Sequence, residues 1–187
     1  LEMDVQRTSD GVLIAYHDDT FERTTDVAER FPSRAKNPVA DFTLAEVKSL
    51  DAGSWFNARF PDRARPSYRG LRVLTLDEVV AIASAARRTL GLYIESKNPE
   101  AYPGIEHEII KALAARGWLD PRKVIFQSFS RDSLEAFAKA APAVPDLTQC
   151  LKDSDARVRR NAAGALGQVG QAAEKAISEL KRCQKDA

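Results

Sequence analysis

The first twenty residues, LEMDVQRTSDGVLIAYHDDT (Leu1–Thr20), contain two short strand-like runs separated by a turn signal. Leu1–Val5 alternates apolar and acidic residues, which puts Glu2 and Asp4 two apart on one side of a strand. Ser9-Asp10-Gly11 is a turn signal, and Val12–Tyr16 is an uninterrupted apolar run of strand length. His17-Asp18-Asp19 follows where the chain leaves that second strand. Two carboxylates on one strand and a histidine at the end of the next make a site suited to holding a metal and moving a proton.

The order Glu-x-Asp-Val, Thr-x-Asp-Gly and His-Asp-x-Thr, followed by Arg23-Thr24-Thr25, is more specific than any of its parts. With these motifs the chain resembles the glycerophosphodiester phosphodiesterase family. The resemblance continues through Phe42–Glu46, Leu50–Phe56, Leu74–Val79, Tyr93–Lys97 and Gln127–Phe129, and so covers about residues 1–140. It implies a (β/α)8 barrel that hydrolyses glycerophosphodiesters to an alcohol and glycerol 3-phosphate.

Outward from the opening stretch, Asp26–Ala40 is charged and contains proline, and is read as a surface loop. Thr43 with Glu46 fits a capping box for a short helix to about Leu50, and Thr75 with Glu78 fits a second. The helix after Thr75 takes its apolar face from Val79, Val80, Ile82, Ala83 and Ala86. Between the two helices, Asp51–Arg72 has no period and reads as a functional loop. Leu90–Ser96 and Val124–Phe129 are strands, separated by a helix carrying Ile105, Ile109, Ile110 and Leu113 that Gly117 can close. Ser130 can cap a helix bearing Leu134 and Phe137. Strands alternating with helices predict a parallel sheet.

The expected fold is therefore α/β: a partial TIM-type barrel of about four strands over residues 1–143, open because eight strands are needed to close one. The pattern changes at Ala140–Pro145. Residues 144–187 read as a short all-α, HEAT-like segment, because LTQCLKD at Leu147 and LKRCQKD at Leu180 share four positions at an offset of 33. These features lead to the expectation of a truncated or recombined gene product.

A phosphodiester repels nucleophiles and has a poor leaving group, so its cleavage needs cationic help at the phosphate and a proton donor. Glu2, Asp4 and Glu95 offer hard oxygen ligands suited to Ca²⁺ or Mg²⁺, and are expected at C-terminal strand ends. Lys97 can place positive charge beside the phosphate, and His17 can exchange the proton. The resemblance implies the same roles: metal binding for Glu2, Asp4 and Glu95, action on the phosphate for His17 and Lys97. The family's first-strand His-Arg-Gly motif and a further glutamate match nothing here, so one of two acid/base histidines is missing and impaired turnover is expected. His107, between Glu106 and Glu108, reads as solvated. Trp55, Phe56 and Phe60 either line a substrate loop or pack it onto the barrel, and Ser128 and Phe129 are expected to close the barrel interior.

A chain of 187 residues with 44% hydrophobic and 29% charged residues is of single-domain size and ordinary globular composition. The net charge of +1 argues against a nucleic-acid or anionic-membrane surface, and no apolar run approaches a membrane span. Cys150 and Cys183 are too few for a disulfide framework. With Leu1 already inside a strand, the compartment is not legible. The alternative to an enzyme is a non-catalytic degenerate barrel whose HEAT-like segment binds a protein partner.

Overall fold

A computed structural model describes residues 1–120 and 122–140. The HEAT-like segment, both cysteines and the partner surface expected there lie outside the described residues. Five strands form one mixed sheet: β1 (Glu2–Arg7), β2 (Leu13–Ala15), β3 (Leu74–Thr75), β4 (Leu92–Ser96) and β5 (Val124–Gln127), in the order β3-β2-β1-β4-β5. Helices are α1 (Val27–Arg30), α2 (Leu44–Ser49), α3 (Ser54–Arg59), α4 (Leu76–Ala85), α5 (Ile105–Ala115) and α6 (Arg131–Ala140). None of the described helices is long and apolar enough to cross a membrane.

The α/β class stands, but the wholly parallel four-stranded sheet does not. β1, β4 and β5 run parallel, whereas β2 is antiparallel to both β1 and β3. The reason is chain length: only Thr8–Val12 separates β1 from β2, too little for a crossover and enough for a hairpin. Thr8 and Gly11 close that hairpin, with Gly11 at φ +84°. Pairing with β2 also carries β1 on to Arg7, so Glu2 and Asp4 sit in the first half of their strand rather than at its C-terminal end.

α4, α5 and α6 cover one face of the sheet. Met3, Val5, Leu92, Ile94 and Val124 meet Leu76, Val79, Val80, Ile105, Ile109, Leu113 and Phe137 in one core. Both predicted capping boxes form, at Thr43–Glu46 and Thr75–Glu78. Gly117 ends α5 in the left-handed region, as its position after the last apolar residue predicts. Ile82, assigned to the apolar face of α4, is instead 53% exposed, because that face narrows to Leu76, Val79, Val80 and Ala83.

The segment read as a surface loop is part of a second core. Val27 and Val39 are fully buried with Ile14, Phe21, Phe42, Val47 and Leu50 on the far side of the hairpin. Asp51–Arg72 is also built rather than irregular, containing α3 and tight turns at Pro61–Arg63 and Pro66–Tyr68. Phe56 packs against Phe60 and Tyr68, closing the lobe on itself. The Asp51 carboxylate accepts from the Gly53 and Ser54 N–H groups, the Ser54 hydroxyl and the Gly70 N–H, at 2.6–3.0 Å. Burial alone would raise its pKa, but these four donors outweigh it and hold the carboxyl well below the usual range. Gly53 lies so close to Tyr68 that an added Cβ would stand 1.7 Å from the Tyr68 carbonyl oxygen.

Gly53→Ala is therefore expected to force the lobe open, lowering stability by about 2 kcal/mol or more and exposing residues 53–72 to limited proteolysis. Asp51→Asn is expected to destabilise most above the unfolded carboxyl pKa of about 4. The depressed folded value means the contribution fades as pH falls, so thermal melts of variant and wild type should converge between pH 5 and about pH 2.

Candidate active site

On the sheet face opposite α4, α5 and α6, alternation brings Asp4, Glu95 and Gln127 into one row. Asp4 is in register with Glu95, and Glu95 with Gln127, across three parallel strands. Two carboxylates at that spacing repel, and both are largely buried, with side chains 12% and 7% exposed. Lys97 relieves the repulsion. Its Nζ stands 3.3 Å from Glu95 Oε1 and 3.6 Å from Asp4 Oδ1. Partial burial lowers the Lys97 pKa, yet the two carboxylates outweigh it and the net shift is upward. The second oxygen of Glu95 accepts from Gln127 Nε2 at 2.8 Å.

His17 joins this cluster from the end of β2. Its Nε2 lies 3.4 Å from Lys97 Nζ, and its Nδ1 lies 2.8 Å from Asp18 Oδ1. Arg23 donates to both oxygens of Asp18, at 2.6 and 2.7 Å, and so holds that carboxyl below its ordinary pKa. An ionised carboxylate only accepts, so Nδ1 carries the proton and Nε2 offers its lone pair toward the cluster. The backbone behind is fixed by Gln6, whose amide donates to the Tyr16 and Asp18 carbonyls and accepts from the Tyr102 hydroxyl. Burial pushes the Tyr102 phenol up to about 12, so it stays a donor.

Of the five residues predicted from sequence, Asp4, Glu95, Lys97 and His17 converge. Glu2 lies two residues before Asp4 and is exposed. Among the described residues no three His, Cys, Asp or Glu side chains gather as a metal-holding group. One ammonium faces two carboxylates here, so Lys97 offsets only part of their charge. Phe129, expected to close the barrel interior, is 88% exposed beyond the end of β5, while Ser128 reaches back to the Ser96 carbonyl at 3.4 Å. His107 is exposed, as expected.

Sequence reading missed the positioning role of Asp18 and Arg23, although their spacing within HDDTFER carried the signal. It also missed the pairing of Gln127 with Glu95, which only strand register reveals.

The site is a cluster of two carboxylates, a lysine and a histidine gathered on an α/β sheet. The chain belongs to the glycerophosphoryl diester phosphodiesterase family, whose model matches residues 1–182. It is 41% identical over 149 residues to a glycerophosphodiester phosphodiesterase of Bacillus subtilis, covering 78% of this chain and 47% of that relative. A glycerophosphodiester phosphodiesterase of Caldanaerobacter subterraneus subsp. tengcongensis is 38% identical over 142 residues, 76% of this chain and 51% of that one. The crystal structure of glycerophosphodiester phosphodiesterase from Agrobacterium tumefaciens superposes with a TM-score of 0.55 at 28% identity, covering 75% and 50% of the two chains. The chain thus spans about half the length of the curated relatives it matches.

Lys97→Met leaves Asp4 and Glu95 facing each other without a cation and is expected to cost about 3 kcal/mol in urea unfolding. Adding Glu95→Gln to that variant should recover most of the loss. Additive losses in the double variant would show that Lys97 does not neutralise this pair.

Proposed function

We propose that this chain carries the catalytic cluster of a metal-dependent glycerophosphodiester phosphodiesterase, releasing an alcohol and glycerol 3-phosphate. The observation that carries the reading is Lys97, whose ammonium touches Asp4, Glu95 and the open nitrogen of His17 at 3.3–3.6 Å. The described sheet is read as part of a (β/α)8 barrel wall, with the site on its inner face.

Asp4 and Glu95, with Glu2 as a third carboxylate, would hold a divalent cation, Ca²⁺ or Mg²⁺. When bound, that ion supplies positive charge to the phosphate oxygens. Lys97 adds a point charge from the protein side and stabilises the negative charge that builds on the phosphate. His17 works through Nε2, accepting a proton from an attacking hydroxyl or, once charged, giving one to the leaving oxygen. Asp18 keeps the imidazole in the required tautomer. Arg23 in turn holds Asp18 ionised.

The test is release of glycerol 3-phosphate from glycerophosphoglycerol, with chelator, and after restoring Ca²⁺ or Mg²⁺. Turnover that returns with metal and falls about a hundredfold or more in His17→Ala supports the reading. Wild-type turnover no higher than that of His17→Ala sinks it. Saturating metal should also raise the melting temperature, by ~2.7 kcal/mol in stability at a hundredfold excess over its dissociation constant. That rise should vanish in Glu95→Ala.

A further inference from the structure

We infer that a cavity behind His17 selects a diester whose one arm carries a second phosphate. The inference rests on the reading of Lys97 and His17 as the phosphate site. The cavity, about 320 Å³, is lined by His17, Asp18, Arg23, Trp55, Arg72 and Leu74, among others. It therefore shares His17 with the catalytic cluster: Nε2 serves Lys97, while the same residue walls the cavity. A diester with its phosphate at Lys97 and His17 has two arms, and this cavity is the space open to one of them.

The charges in its wall decide what that arm can be. Arg23 is neutralised by its two bonds to Asp18. Arg72 is not. Its Nη1 donates to the Ser49 carbonyl at 2.6 Å, and among the described residues it pairs with no carboxylate. The cavity thus carries an uncompensated guanidinium with donors to spare, a fork that fits phosphate oxygens. The aromatic wall does not invite a cation, because Arg23 already lies over the Trp55 ring at 5.8 Å. A quaternary ammonium arm would meet the uncompensated Arg72 guanidinium, whereas an arm ending in phosphate meets its charge in a partly apolar setting.

The experiment is calorimetric titration of the whole chain with propane-1,3-diol bisphosphate and with glycerol 3-phosphate. Wild type should bind the bisphosphate at least about tenfold more tightly, the size of a charge-assisted guanidinium contact. Arg72→Gln should bring the two affinities within about twofold of each other, leaving glycerol 3-phosphate unchanged. Arg72→Lys, which keeps the charge and loses the fork, should fall between. Equal affinities in wild type, selectivity that persists in Arg72→Gln, or no binding at all overturns the inference. Selective binding without hydrolysis of any diester instead overturns the catalytic reading and leaves the cavity's preference standing.

Discussion

The site depends on an ammonium placed between two carboxylates. Asp4 and Glu95 face each other on adjacent parallel strands, which lie about 4.8 Å apart. Neither residue has solvent enough to dissipate its charge, so the pairing of β1 with β4 carries an electrostatic cost wherever both are ionised. Lys97, two residues beyond Glu95 on the same strand face, removes that cost and in doing so reaches His17. The apolar layer of α4, α5 and α6 matters to function because it fixes this register. A slip of one residue would turn the carboxylates into the core and the core residues outward.

Much of this was legible in residue order. Four of the five expected site residues converge because period-two alternation and strand ends are local properties. Both capping boxes, and the apolar rows Ile105, Ile109, Leu113 and Val79, Val80, Ala83, were legible for the same reason. The misreadings share a cause in non-local pairing. β3 is two residues long, too short for any periodic signal, and exists because Leu74 and Thr75 pair with Ala15 and Ile14. Val27 and Val39 are single apolar residues in a polar stretch, and only Phe21, Phe42 and Ile14 beside them make a second core. The imidazole orientation turns on which acceptor reaches Nδ1, and residue type alone does not specify that. Arg72 belongs to the cavity only because the 51–72 lobe folds back to the edge of β2.

That lobe shows how a sequence without periodicity can still be rigid. One carboxylate, Asp51, gathers donors from both ends of the segment, and four aromatic rings pack edge to face inside it. Arg63 and Arg59 lie over Phe56 and Phe60, so the arginines cover rings that would otherwise be wet.

The two glutamates of the capping boxes do more than start helices. Glu46 also pairs with Arg34, and Lys48, one turn along α2, pairs with Glu78 at the head of α4 while donating to the Val73 carbonyl at 2.7 Å. A line of alternating charge thus runs from the segment around the second core to the helix that covers the first. The starts of α2 and α4 are each tied to a side chain from earlier in the chain, so fraying at the head of α4 releases a contact of α2. The Lys48 ammonium thus bridges the two cores, joining α2 of the second to the segment that leads into α4 of the first.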